Sequence, residues 1–254
     1  MTTTGLTLPR IVSAEQRRLR TLRSTWWFAT SAAVLTVAIG VFPAIGVAAG
    51  ALPADLENVG PLGGALTGLS ITELIVAAFA VLAVTAEPAA ATFTAVPRRA
   101  SVVVARATAT GAAVLALSLA LTFGTFAAAH LLLSSAGVDL PLTAGVARSL
   151  SGAAVYLSFV AVLGVAAGWL LRGAVAAIAA VLSVFYLLPV VGLLLPDAIA
   201  EAVLPWLPSN AAAALRDPAP TLEMLTPWIA LTVLAAYAVG AVLLASAAVR
   251  RRDV

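Results

Sequence analysis

Residues 149–171 read SLSGAAVYLSFVAVLGVAAGWLL and contain no charged side chain. A helix that crosses a bilayer needs about 20 consecutive, mostly apolar residues, so this stretch is long enough to span a membrane. Five further stretches of similar character lie on either side of it. We therefore predict an all-α integral membrane protein with six transmembrane helices, at about residues 26–49, 67–86, 102–133, 149–171, 174–195 and 226–249.

The composition of the whole chain supports the same fold class. Of 254 residues, 62% are hydrophobic and 10% are charged, and the mean hydropathy is +1.09. Soluble domains contain about 45–50% apolar and about 25% charged residues, and one soluble core of this size could not bury such an excess. We find no linker or soluble domain, so residues 1–254 are predicted to form a single transmembrane domain.

Several kinds of chemistry are excluded by residue types that the chain lacks. All fourteen basic residues are arginine, so there is no Lys for a Walker A phosphate loop or for a Schiff base. There is no Cys, and the single histidine, His130, cannot build a multi-histidine metal site. Motifs of intramembrane or serine hydrolases are also missing. We expect no catalytic residue, bound cofactor or metal, and we interpret His130 as a hydrogen-bonded or interfacial side chain rather than a proton relay.

The arginines are divided unequally between the two sides of the predicted bundle. Two of them, Arg148 and Arg216, fall on one side, and the other twelve fall on the side that holds both termini: Arg10, Arg17, Arg18, Arg20, Arg23, Arg98, Arg99, Arg106, Arg172, Arg250, Arg251 and Arg252. Short cytoplasmic loops carry an excess of Lys and Arg. Both termini are therefore predicted to be cytoplasmic, and the pI near 10.2 reflects topology rather than nucleic-acid binding.

The segment before the first span has helical periodicity. Apolar residues from Ile11 to Trp26 fall within one arc of about 100°, and most arginines lie outside it, so residues 10–25 are predicted to form an amphipathic interfacial helix. Ser13 and Gln16 have the spacing of a capping box, which places the helix start at Ser13. Glu15 lies inside the apolar arc. It is either an acid favoured by the helix dipole in the first turn, or a buried partner of an arginine on another element.

Four features inside or between the spans stand out. Glu73 is the clearest intramembrane acid, and such residues are candidates for function. Pro43 and Pro189 are each expected to kink or break a span. The over-long third span is expected to begin with a cytoplasmic turn that contains Arg106. Residues 196–225 are predicted to form short extracytoplasmic helices, at Ile199–Leu204 and Asn210–Leu215.

Five blocks along the chain, in order, resemble the permease subunits of type-2 ATP-binding-cassette exporters, the class of drug, antibiotic and polysaccharide exporters. The first block, residues 15–27, reads EQRRLRTLRSTWW and is similar to the entry segment of that family. The others are VTAE at 84–87 with AVPRR at 95–99, LGVAAG at 163–168 with Leu171-Arg172, WLPSNA at 206–211, and RRRD at 250–253.

The resemblance implies a six-span subunit that moves a hydrophobic or amphipathic small molecule or lipid outward. It further implies a second permease copy or a homologous permease, ATP-binding-cassette ATPase subunits that bind the ATP, and a bacterial cytoplasmic (inner or plasma) membrane. By position, the residues matching the ATPase-coupling elements are Glu15, Arg20, Arg23, Glu87, Arg98 and Arg99. The outer short helices match those that cap the exit, so Trp206 and Asn210 are candidates for the outer gate. Glu73 has no counterpart in the family, and it is a candidate for the pore or outer gate because it is an intramembrane acid.

The loop between spans two and three departs from the family pattern. Pro88 follows Glu87 where the family commonly has Tyr, and Ala91–Thr94 lacks the usual Gly and Arg. One hypothesis is that the chain forms half of a heterodimeric pore with a more typical partner. Two other interpretations are a non-transporting immunity or scaffold subunit and a proton-coupled carrier, which would need charges near the membrane midplane.

Overall fold

The computed structural model describes residues 8–52, 61–86, 99–219, 221 and 224–251, and every regular element in these ranges is helical. The first half of the chain forms α1 (Leu8–Thr21), α2 (Arg23–Ala48), α3 (Pro61–Thr85) and α4 (Arg99–Ser135).

The second half begins with α5 (Ala144–Leu171) and α6 (Ala174–Leu182), which a π-helical turn (Ser183–Leu187) joins to α7 (Leu188–Gly192). Two short helices follow, α8 (Asp197–Val203) and α9 (Pro208–Arg216), with a 3₁₀ turn (Leu204–Trp206) between them. The last helix is α10 (Pro227–Arg251).

Six helical stretches are long and apolar enough to cross a membrane, as predicted: Arg23–Ala48, Leu66–Thr85, Ala100–Ser135, Ala144–Leu171, Ala174–Gly192 and Pro227–Arg251. Thus α2, α3, α4, α5, the α6–α7 segment and α10 are the candidate spans. We call the end of the bundle that carries α1 the α1 end, and the opposite end, which carries α8 and α9, the α9 end.

α5 lies at the centre of the bundle, where it contacts α3, α4, α6, α9 and α10. Its close approach to α3 depends on a small residue, because a Cβ added at Gly164 would lie 2.7 Å from the Cβ of Ala80. Small residues are typical of helix interfaces in membranes, since lipid supplies no hydrophobic force between helices and packing must be close. α2 and α3 are joined by a buried hydrogen bond between the hydroxyls of Thr36 and Thr72.

Several predicted boundaries were wrong. α1 begins at Leu8 and ends at Thr21, so the proposed capping box at Ser13 is not a helix start, and the Ser13 hydroxyl bonds to the Arg10 carbonyl instead. The chain is extended at Leu22, and a new helix starts at Arg23. Arg23 therefore belongs to the first turn of α2 rather than to the entry helix.

Charged residues in the second and third spans lie inside continuous helices, so the cytoplasmic turn expected around Arg106 was wrong. α3 runs through Glu73, and α4 runs through Arg106 with no separate turn before it. α5 begins at Ala144, five residues before the apolar window, because the Thr143 side chain accepts a hydrogen bond from the Val146 N–H and caps the helix.

The two intrahelical prolines behave differently. Pro43 lies within the continuous helix α2. Before Pro189 the fifth span changes to a π-helical turn, which interrupts the regular helix as expected. Proline has no N–H to donate, so the regular hydrogen-bond ladder cannot continue through residue 189. π-helical turns are rare and frequently occur at functional sites. The side chains of Ser183–Leu187 are therefore candidates for a functional role.

Candidate functional site

The α1 end of the bundle contains a partly buried ionic network centred on Glu15. One carboxylate oxygen of Glu15 accepts a hydrogen bond from Nη1 of Arg18, at 2.9 Å, and the other accepts one from Nη2 of Arg106, at 3.2 Å. The Arg106 side chain is only 3% exposed. Of the two interpretations of Glu15, the buried partner of an arginine on another element is therefore the confirmed one. The first-turn interpretation was wrong, because α1 begins seven residues before Glu15.

This network ties α1 to three spans. Arg106 lies on α4 and donates a second hydrogen bond, at 3.4 Å, to the carbonyl of Ala83 near the end of α3. The same carbonyl accepts a hydrogen bond from Arg18, at 3.3 Å. The Arg106 guanidinium also lies 5.7 Å from the ring centroid of Trp169, near the end of α5. A rigid displacement of α1 would thus act on α3, α4 and α5 together.

The remaining residues proposed to contact an ATPase are distributed around this network. The side chains of Arg20 and Arg23 are exposed at the junction of α1 and α2. Arg99 is the first residue of α4, whereas Glu87 and Arg98 lie outside the described residues. Glu15 differs from the exposed arginines, because its carboxylate already has two partners within the chain.

At the α9 end, a second polar cluster surrounds Glu73 on α3. The Glu73 side chain is 4% exposed, and its Oε1 atom has no hydrogen-bond partner among the described residues. The side chains of Tyr156 on α5, Tyr186 on the π-helical turn and Arg216 on α9 lie near enough to influence its charge. Four elements therefore contribute to one cluster, in which Glu73 and Tyr156 are buried and Tyr186 is half-exposed.

Aromatic contacts fix the geometry of this cluster. The Cζ atom of Arg216 lies 4.6 Å from the centroid of the Tyr156 ring, which is a cation–π arrangement. The ring of Phe185 packs edge-on against Tyr156 at 5.6 Å and against Phe159 at 6.0 Å. Because Phe185 and Tyr186 are neighbours on the π-helical turn, the packing of Phe185 holds Tyr186 beside Glu73.

The short helix α9 is seated directly on α5. The Ser149 hydroxyl donates to the carbonyl of Arg216, and the Arg148 guanidinium donates to the carbonyls of Asp217, at 2.7 Å, and Pro218, at 3.1 Å. A Cβ at Gly152 would collide with the carbonyl oxygen of Leu215, so a glycine is needed there. These contacts satisfy the last carbonyl of α9, at Arg216, and two carbonyls of the chain that follows it.

The other predicted residues at this end have separate surroundings. Trp206 is half-exposed on the 3₁₀ turn, and the Asn210 side-chain amide donates to the Leu204 carbonyl at 2.7 Å. No described hydrogen bond, ion pair or ring contact joins either of them to Glu73. His130 lies at hydrogen-bond distance, 3.0 Å, from the Leu140 carbonyl and stacks on Phe126, as expected of a hydrogen-bonded histidine.

Sequence reasoning identified Glu73 but missed its neighbours. Arg216 was considered only as one of two arginines on the outer side, and the two tyrosines were not singled out. The available indication was composition, because the chain contains only three tyrosines and all three fall in predicted spans. A polar aromatic residue in a span usually has a polar partner. Which of them lie near Glu73, namely Tyr156 and Tyr186, depends on the packing of α3, α5 and the π-helical turn.

Comparison with known proteins does not assign the chain to a family. No family model matches the sequence, and no curated protein matches it either.

Proposed function

We propose that this chain is the membrane-spanning permease subunit of a type-2 ATP-binding-cassette exporter in a bacterial cytoplasmic membrane. The proposal is supported by the ordered sequence blocks, the six long apolar helices and the helix that precedes them. In this proposal α1 is an amphipathic helix at the cytoplasmic interface, both termini are cytoplasmic, and the α9 end faces outward.

The observation that carries the proposal is the bond from Arg106 to Glu15. A permease must convert movement at its ATPase into rearrangement of its spans, and a ligand or partner can do this only through contacts that differ between two states. Exposed arginines on α1 and at the start of α2 would bind the partner. Glu15, Arg18 and Arg106 would carry the displacement to α3, α4 and α5.

Under this proposal ATP binds to another subunit. The chain has no Lys for a phosphate loop of the Walker type, so the ATPase subunits act in trans. A second permease copy or a homologous permease completes the pore, and the cargo is a hydrophobic or amphipathic small molecule or lipid. The cluster around Glu73, together with the docked helix α9, would form part of the outer gate.

Co-purification followed by transport in vesicles tests the proposal. We expect an ATP-binding-cassette ATPase to co-purify with the chain, and the reconstituted complex to move an amphipathic dye only with ATP. Transport that a protonophore abolishes, with no need for ATP, would instead establish the proton-coupled carrier. Tight binding of a toxin or kinase with no transport would establish the immunity or scaffold subunit.

The absence of cysteine allows a direct test of orientation. Single cysteines at the exposed positions Thr21, at the α1 end, and Ala219, at the α9 end, should react differently with a membrane-impermeable thiol reagent in intact cells. We expect labelling of Ala219→Cys only, and labelling of both after permeabilisation. Labelling of Thr21→Cys in intact cells would invert the proposed topology.

The departures in the loop between spans two and three support a heterodimeric pore as the more specific form of the proposal. Two differently tagged copies of this chain, expressed with its ATPase, should then fail to co-purify with each other. Isolation of a single permease species with full transport activity would exclude the heterodimer.

A further inference from the structure

An apolar cavity of about 320 Å³ lies at the α1 end, between α1, α2, α3 and α4. Apolar side chains, including Phe28, Val76, Phe79 and Leu117, form its deeper walls. Polar groups at its rim come from α1 and the start of α2, namely Gln16, Arg20 and Thr25. The cavity is therefore amphipathic, with its polar part at the end of the bundle where the arginines of α1 are concentrated.

The polar groups at the rim are not satisfied within the described part of the chain. The Arg20 side chain is exposed and makes no hydrogen bond or ion pair with any described residue, and the Thr25 hydroxyl is buried without a partner there. The Trp26 indole donates to the Arg20 carbonyl at 2.9 Å, which holds the end of α1 against α2. The nearby acid, Glu15, is already neutralised by Arg18 and Arg106, so the rim is positively charged.

A second cavity of about 300 Å³ adjoins the first. The two share walls formed by Leu19, Thr25, Phe28 and Phe79, and the Phe28 and Phe79 rings are in contact, with centroids 5.4 Å apart. The first cavity has Arg20 in its wall and the second has Arg18, which is already paired with Glu15. Two neighbouring, mostly apolar spaces with Arg20, a cation unpaired within the described part of the chain, beside one of them match a molecule with two hydrocarbon chains and one anionic group.

We propose that these cavities hold the two acyl chains of an anionic phospholipid from the leaflet at the α1 end, with its phosphate on Arg20 and hydrogen bonds from Gln16 and Thr25. Membrane lipid is as apolar as the cavity, so the chains alone give no preference over bulk lipid. Selectivity must come from the headgroup, because an arginine near the membrane surface attracts anionic lipid. The site needs only that the protein is embedded in a bilayer, and it is independent of the exporter proposal.

Trp26, at the rim, provides a built-in probe. The test uses a full-length variant in which Trp26 is the only tryptophan and the other four, Trp27, Trp169, Trp206 and Trp228, are replaced by Phe. It is reconstituted into bilayers that contain phosphatidylcholine and phosphatidylglycerol at equal mole fraction. In one preparation only phosphatidylglycerol carries brominated chains, and in the other only phosphatidylcholine does. We expect stronger quenching when phosphatidylglycerol carries the bromine. A matched variant that retains only Trp27, which does not line the cavity, should report the bulk composition and show no preference.

Variants that remove or keep the charge of single arginines on α1 test the role of Arg20 directly. Arg20→Gln should reduce the preference about fivefold, the factor expected for loss of one arginine–headgroup attraction. Arg20→Lys should retain most of the preference, and Arg17→Gln, which removes an exposed arginine outside the cavity, should leave it unchanged. Equal quenching by the two brominated lipids, or an equal loss with Arg17→Gln and Arg20→Gln, would overturn the proposal.

Native mass spectrometry of the unmodified chain provides a second measurement that does not depend on the folding of the tryptophan variants. We expect adducts of phosphatidylglycerol to survive at detergent concentrations that remove phosphatidylcholine. Displacement of the adduct by glycerophosphate, which has the phosphate but no acyl chains, would show a simple anion site and would contradict the lipid proposal.

Discussion

The guanidinium of Arg216, on α9, lies 4.6 Å from the centroid of the Tyr156 ring, on α5, and close enough to the buried carboxylate of Glu73 to attract it. This relationship fastens a short helix outside the predicted spans to the centre of the bundle. It also gives a buried acid a cationic neighbour from a part of the chain more than a hundred residues away.

Replacement of Arg216 should loosen α9. Arg216→Gln removes the cation over the Tyr156 ring, and we expect a loss of about 0.5–2 kcal/mol in the free energy of unfolding in detergent. Arg216→Lys should lose less, because an ammonium retains the cation–π attraction. Protease cleavage between α9 and α10 should accelerate with the same ranking. Equal stability of Arg216→Gln and the unmodified protein would show that the contact contributes nothing to docking.

The coupling between Glu73 and Arg216 can be measured with a double-mutant cycle. Residues that interact directly show an interaction free energy of about 0.5–3 kcal/mol, whereas distant pairs are additive. We expect Glu73→Gln and Arg216→Gln to be non-additive in unfolding experiments. The control cycle pairs Glu73→Gln with Arg148→Gln, because Arg148 bonds to the chain after α9 but has no described contact with Glu73. Additivity in the first cycle would exclude a direct interaction.

Gly152 should tolerate no larger residue. In Gly152→Ala the new methyl group would collide with the Leu215 carbonyl, and overpacking of this kind costs about 1–3 kcal/mol. Gly240→Ala on α10 is the matched control, since a Cβ there would have no heavy atom within 4 Å. We expect a lower melting temperature for Gly152→Ala only. If both variants melt at the same temperature, α9 does not depend on its close approach to α5.

Glu15 should matter more to stability than Arg18. Glu15→Gln removes the carboxylate that accepts hydrogen bonds from both Arg106 and Arg18, and removal of one partner from a buried pair costs about 3–5 kcal/mol. Arg18→Gln leaves Glu15 with Arg106 and should cost less. The double variant Glu15→Gln, Arg106→Gln should regain part of the loss of Glu15→Gln. Thermal unfolding in detergent provides the ranking, and a larger loss for Arg18→Gln would contradict it.

Glu87→Ala should uncouple transport from ATP hydrolysis under the proposed function. Glu87 matches the acid of the coupling loop in the exporter family, so its removal should slow ATP-driven efflux in vesicles while the protein remains folded. Thermal unfolding in detergent serves as the folding control. Efflux at the unmodified rate would remove Glu87 from the coupling elements.

The number and type of the long helices could be predicted from composition and hydropathy, because a span must satisfy its own backbone hydrogen bonds and needs apolar side chains over its full length. The helix ends were less predictable. α5 starts at a capping threonine rather than at the edge of the apolar window. α1 ends at Thr21, although the helical pattern of arginines continues to Arg23. Hydropathy does not report such local backbone bonds.

The charged residues show most clearly what the sequence determined and what only the tertiary structure decided. Sequence alone determined that Glu15 lies on the apolar face of its helix and that Glu73 lies within a span. The tertiary structure decided their partners: Arg106 lies 91 residues from Glu15, and Arg216 reaches Glu73 only because α9 turns back onto α5. Periodicity describes one helix at a time, whereas the partner of a buried charge depends on how different helices pack against one another.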